Sequence, residues 1–225
     1  MKKRSLYIIL SVLILSLSVS LVDIFIKPDY FVKISIKIIA FLVLPMLYFI
    51  LNKNEFSEFG ELFKFKKDNL LKSLLLGILV YLCIVIGYFL TRNIIDYSNV
   101  APNLTSSMGI TSNNLIYVTL YISFLNSFLE EFFFRGFGFI TLKKYISRKF
   151  SYIFSSLCFS LYHIGMMIGS FYLPSLILLN IGLFIGGCIF NYLNESSNNI
   201  YSSWIVHMFA NFAINTVGFI LFGIL

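Results

Sequence analysis

The chain has 225 residues, of which 59% are hydrophobic, 18% aromatic and only 12% charged, and its formal net charge is +7. An ordinary soluble domain is about a quarter charged, so composition excludes that class and indicates a polytopic membrane protein. The basic excess does not call for nucleic acid, because membrane proteins gather Lys and Arg in their cytoplasmic loops.

Seven apolar stretches, 5–26, 31–51, 70–90, 114–141, 150–168, 171–193 and 200–223, are expected to cross the bilayer, giving an all-α polytopic membrane helix bundle. The first opens MKKRSLYIIL and could pass for a signal peptide, with Ser18-Val19-Ser20 as a weak cleavage site. Its apolar run is longer than an ordinary h-region, and it reads as a retained helix. Pro45 is expected to kink the second span and Pro174 suits a helix first turn, while Pro28 and Pro102 fall in expected loops. The segment 52–69 carries Phe56, Phe59 and Phe63 at helical spacing beside a basic cluster that includes Lys66 and Lys67. It reads either as an amphipathic helix lying on the inner leaflet or as a plain positive-inside loop. The polar segment 91–113 is expected to be irregular. Gly165-x-x-x-Gly169 and Gly182-x-x-x-Gly186 read as small-residue seams for helix packing. Cys83, Cys158 and Cys188 are odd in number and lie in apolar runs, which argues against a disulfide framework.

Orientation follows from the Lys/Arg distribution. With the N-terminus inside, Lys2, Lys3, Arg4, Lys53, Lys64, Lys66, Lys67, Lys72, Lys143, Lys144, Arg148 and Lys149 face the cytoplasm, against Lys27, Lys33, Lys37 and Arg92 outside. The positive-inside rule therefore predicts N-in.

Charged residues in the middle of a span are costly and mark function by default. Only two carboxylates, Glu130 and Glu131, lie deep in a span, and both histidines, His163 and His207, are intramembrane as well. Glu131 and Arg135 are four apart and share a helix face, so they read as a pair that supports the structure. Glu130 points about 100° away and is left for other work, with Asn126 one turn before it. His207 and Asn211 share a face, as do Phe159 and His163. A lone membrane histidine is usually a structural hydrogen-bonder; two histidines set beside an unpaired carboxylate favour a functional site. The cysteines read as core residues, since apolar burial disfavours the thiolate.

Glu130-Glu131-Phe132-Phe133-Phe134-Arg135 with Gly136, then Phe159-x-x-x-His163, then His207-x-x-x-Asn211, resembles the three-motif signature of the CPBP family of intramembrane proteases, which includes the CAAX prenyl endopeptidases and the bacterial Abi proteins. Order and spacing agree over roughly residues 70–220; the chain has one span fewer than the CAAX enzymes. The chain thus divides into two N-terminal helices with a cytoplasmic amphipathic loop over 1–69, read from the residues, and a catalytic bundle over 70–225, which the resemblance implies. The resemblance also implies peptide-bond hydrolysis inside the membrane, with Glu130 as the base that activates water and His163 orienting that water. His207 and Asn211 would then stabilise the oxyanion, and Glu131 with Arg135 would hold the site together. The implied partners are the bilayer and a membrane-embedded or lipid-associated peptide, with no nucleic acid, and the implied setting is a bacterial plasma membrane with roles in bacteriocin immunity or peptide-signal maturation. No cofactor is favoured, although Glu130, His163 and His207 could form a zinc set with one open position. Two other functions stay open: a non-catalytic membrane scaffold or immunity protein, and a proton-coupled transporter whose Glu and His form a relay.

Overall fold

The computed structural model describes residues 2–64 and 69–225, with the backbone alone at Lys2, Asn54 and Glu58; Lys66 and Lys67 lie outside the described residues. It is helical, with no strand among the described residues. Among the described residues, six helices are long and apolar enough to span a membrane: α1 (Lys3–Ile26), α2 (Tyr30–Leu51), α4 (Leu70–Thr91), α7 (Arg148–Met167), α8 (Leu173–Ser197) and α9 (Ile200–Leu221). Between them lie the short α3 (Lys53–Gly60) and α5 (Val100–Met108). The remaining expected span forms α6, a helical run over 115–141.

α6 differs from the rest because protein, not lipid, surrounds its second half. Every residue from Leu129 to Leu142 is buried. Leu75 and Leu79 of α4 and Ile177 and Ile181 of α8 are instead exposed. An exposed apolar surface of that extent would be a liability in water and is what a bilayer requires. Two polar-charged residues and an arginine can sit in α6 because its neighbours enclose them.

The enclosing core is largely aromatic. Phe41 of α2 stacks on Phe133 with ring centroids 4.3 Å apart, and Phe134 meets Tyr162 of α7 at 5.4 Å. Ile8 and Val12 of α1 belong to the same core. Such aromatic pairs are worth about 0.5–1.5 kcal/mol each beyond the area they bury.

α6 is also wound irregularly: Tyr121–Asn126 and Glu131–Thr141 are π-helical, and the α-helical turn Ser127–Glu130 lies between them. Wide turns of this kind leave carbonyls in need of extra donors, and side chains supply them. Thr141 Oγ1 donates to the carbonyl of Gly136 at 2.9 Å, and Ser155 Oγ of α7 donates to that of Phe134 at 2.7 Å. Glu130 thus ends the regular turn at the point where the winding changes.

Several local expectations are corrected. Pro102 is in the first turn of α5, where a missing N–H costs no helical bond, so the segment 91–113 is partly helical. The irregularity of α2 is a π-helical stretch at Ile39–Val43, just before Pro45. Phe59 of α3 is buried and stacks on Phe49 at 4.1 Å, while Phe63 meets Phe128 and Phe132. The aromatic face of this segment therefore packs into protein, and Phe56 alone of the three is exposed. Of the two glycine pairs, Gly165 makes a close approach: a Cβ there would lie 2.7 Å from the Ser20 carbonyl oxygen. Gly182 and Gly186 face open space, and the contact in α8 is made by Gly187, against Ser156.

Candidate active site

Glu130 is 1% exposed, and its two oxygens have different surroundings. Oε1 accepts from Asn126 Nδ2 at 2.7 Å, from Lys37 Nζ at 3.4 Å and from the Tyr162 hydroxyl. Oε2 has no hydrogen-bond partner and faces two imidazoles, with His207 Nε2 at 3.6 Å and His163 Nε2 at 3.9 Å. Helices α6, α7 and α9 thus bring the three intramembrane groups to one point, and α2 contributes Lys37.

Each imidazole is held by its far nitrogen. His163 Nδ1 lies 2.7 Å from the carbonyl of Phe159, one turn back on α7, so Nδ1 carries the proton. Neutral His163 therefore turns a lone pair on Nε2 toward Glu130. His207 Nδ1 lies 2.9 Å from Glu131 Oε1, and Phe190 stacks on its ring at 4.8 Å. Glu131 also pairs with Arg135, Nη1 to Oε1 at 3.5 Å, with both side chains 0% exposed. The Arg135 guanidinium lies 4.0 Å from the Phe159 ring centroid and 5.0 Å from that of Phe190. Delocalised charge against aromatic faces is the form of buried cation that arginine tolerates best.

Asn211 stands apart from this cluster. Its amide donates to the carbonyl of Ile122 at 3.1 Å, within the first π-helical stretch of α6, and no hydrogen bond joins it to Glu130, His163 or His207. One of its two amide hydrogens remains uncommitted.

Two contributors escape the sequence reading. Tyr162 was hidden as the residue beside His163. Lys37, counted among the outside basic residues, is instead buried in the bundle at 4% exposure, and Lys33 is buried beside it at 7%. Lys33 Nζ pairs with Asp23 Oδ1 at 3.0 Å and Lys37 Nζ with Glu130. The available signal was their spacing: two lysines four apart within Phe31-Val-Lys-Ile-Ser-Ile-Lys-Ile-Ile, sharing one face of a spanning helix.

Glu130 Oε2 and the two Nε2 atoms are donor types that zinc accepts. The ammonium of Lys37, paired with the same carboxylate at 3.4 Å, opposes a dication there.

An enclosed carboxylate with one oxygen engaged and one bare, facing two oriented imidazoles inside a helix bundle, has the groups needed to hold a water and accept its proton. Residues 112–213 match the family model described as type II CAAX prenyl endopeptidase Rce1-like, in agreement with the CPBP/CAAX protease resemblance of the three motifs. This is a membrane protease family, and the match supports intramembrane endopeptidase activity as the general class. The matched segment holds Glu130, Glu131, Arg135, His163, His207 and Asn211, and leaves α1–α5 outside it. No curated protein and no solved structure matches the chain.

Proposed function

We propose that the protein is a glutamate-dependent intramembrane endopeptidase that hydrolyses a peptide bond in a membrane-associated or hydrophobic peptide without a metal ion. The observation that carries this reading is the bare Oε2 of Glu130, facing His207 and His163 at 3.6 and 3.9 Å while Oε1 is fully engaged. A water placed there donates one hydrogen to Oε2 and the other to His163 Nε2, which turns its own lone pair to the substrate. Glu130 Oε2 takes the proton as the water oxygen attacks the scissile carbonyl carbon, and the carbonyl π pair becomes the oxyanion. Collapse restores the C=O bond and breaks the C–N bond, and Glu130 returns its proton to the leaving nitrogen.

His207, whose Nδ1–H donates to Glu131, presents Nε2 to the oxyanion, a task that requires a proton on both ring nitrogens. The uncommitted amide hydrogen of Asn211 is the second donor in this reading. Such donors act strongly because the surroundings exclude water.

An N-in orientation in a bacterial plasma membrane fits this reading. With Lys33 and Lys37 paired inside the bundle, Lys27 and Arg92 remain as basic residues of the outer segments. Arg4, Glu55 and Tyr145 meet on the opposite, basic side. Bacteriocin immunity or maturation of a peptide signal are settings in which such an activity would serve.

The test compares wild-type protein with Glu130→Gln, in membranes and after purification. The amide is isosteric but cannot serve as a base, so cleavage should vanish while the folded protein is still obtained, with Lys37 kept by Asn126 and Tyr162. Proteomics of the two membranes should show substrates that accumulate intact in the variant. Undiminished cleavage by Glu130→Gln would sink the reading.

A further inference from the structure

We propose that Lys37, from a helix outside the family-matched segment, is the positioning residue of Glu130, acting through Asn126 and Tyr162 to fix which carboxylate oxygen meets the water. This rests on the catalytic reading of Glu130 above. The ammonium of Lys37 has three hydrogens and three acceptors: Asn126 Oδ1 at 2.8 Å, the Tyr162 hydroxyl oxygen at 2.9 Å and Glu130 Oε1 at 3.4 Å. Its contact with the first two settles their direction. With Oδ1 turned to Lys37, Asn126 directs its NH₂ to Glu130 Oε1; with its oxygen accepting from Lys37, Tyr162 directs its O–H to the same atom. All the donors thus converge on Oε1, and Oε2 stays bare toward the histidines.

The neighbouring charges leave this task to Lys37 alone. Lys33 lies one turn away on the same face, and its charge is taken by Asp23 at 3.0 Å. Arg135 is taken by Glu131. Of the seven buried charges among the described residues, Glu55 meets Arg4 at the far end of the bundle, and the other six form three pairs in which Glu130 has Lys37 as its ion-pair partner of fixed charge. Stability alone does not explain such a pair: well-packed apolar replacements of buried ion pairs are often neutral or stabilising. Its placement on the reacting carboxylate gives it a role in the reaction.

Lys37→Met, Lys37→Gln and Lys37→Arg are to be compared with Glu130→Gln in a continuous assay on a quenched-fluorescence peptide in detergent or proteoliposomes. Lys37→Met should keep KM within about twofold and lower kcat by roughly 10²-fold, the range of a mispositioned acid–base group. Lys37→Arg should regain at least about tenfold of that loss, and Lys37→Gln, which keeps a donor without the charge, should fall between them. The double variant Asp23→Asn/Lys33→Met should retain kcat, since that pair does not touch Glu130. If Lys37→Met folds poorly, Lys37→Met/Glu130→Gln should restore the yield by removing the unpaired carboxylate, and Lys37→Arg then carries the kinetic test. Wild-type kcat in Lys37→Met, a raised KM with preserved kcat, a Lys37→Arg no better than Lys37→Met, or a yield not restored in the double variant would each overturn the proposal. Activity in Glu130→Gln would instead sink the catalytic reading itself.

Discussion

Glu131 Oε1 lies 2.9 Å from His207 Nδ1 and 3.5 Å from Arg135 Nη1, so one carboxylate oxygen links the imidazole to the buried guanidinium. Under the proposed function the adjacent carboxylates of α6 divide the work: Glu130 faces the water, and Glu131 holds the ring of His207. Arg135→Ala leaves Glu131 buried without its cation, and such a loss costs about 3–5 kcal/mol. The expected result is a sharp fall in folded yield by size-exclusion chromatography, with detergent melting shifted down in the surviving fraction. Glu130→Gln should keep its folded yield, since Asn126 Oδ1 and the Tyr162 hydroxyl still accept from Lys37, and lose cleavage instead; equal folded yield in the two variants would show the division to be wrong.

His207→Ala removes the imidazole and leaves Glu131 with Arg135. Residual cleavage should persist at roughly 10²–10³-fold below wild type, the usual loss for one oxyanion donor. KM should change little, because the interaction develops in the transition state. Asn211→Ala should lower kcat in the same sense, and it should also loosen the contact of α9 with Ile122. A lower melting temperature in Asn211→Ala but not in His207→Ala is the expected signature of that second role.

The glycines of α7 and α8 give a prediction about packing. In Gly165→Ala the new Cβ would meet backbone and side-chain oxygens of Ser20 at 2.7 Å, atoms that yield only if α1 moves. Overpacking of this kind costs about 1–3 kcal/mol, read as a lower melting temperature. Gly186→Ala has open space around it and should melt like wild type. The same experiment on α3 separates core from lipid: Phe59→Ala should destabilise by about 3–5 kcal/mol, and exposed Phe56→Ala should not.

What was legible in the sequence follows from what is costly in a bilayer. Glu130, Glu131, His163 and His207 stand out because each is expensive in an apolar run, and the structure sets Glu130 within 4 Å of both imidazoles. Lys37 is equally expensive, yet it lies close to the end of its span, where snorkelling lysines are common, so its own position did not reveal that it turns inward. Tyr162 is a common residue in a chain with 14 tyrosines, and only the third dimension joins its hydroxyl to Glu130. Periodicity placed Phe59 and Phe63 on one face without saying whether lipid or protein covers it. Likewise Gly182 and Gly186 have the spacing of a seam, but the rotation of α8 turns Gly187 to the neighbour instead.

The last prediction concerns the metal. Zinc on Glu130, His163 and His207 would require all three as ligands, so loss of any one should release the ion. It would also have to bind beside the ammonium of Lys37, 3.4 Å from the same carboxylate. A like charge bound to the same carboxylate is a substantial penalty for a cation in a low-dielectric site. Purified protein should therefore stay active after exhaustive chelation, and elemental analysis of active fractions should show no stoichiometric zinc. Lys37→Met gives the converse test: with the ammonium gone, added zinc should bind more tightly than to wild type, read by competition with a fluorescent chelator. Stoichiometric zinc in the wild-type protein, lost in both His163→Ala and His207→Ala, with inactivation by chelator and recovery on adding zinc, would overturn the metal-free mechanism while leaving Glu130 at its centre.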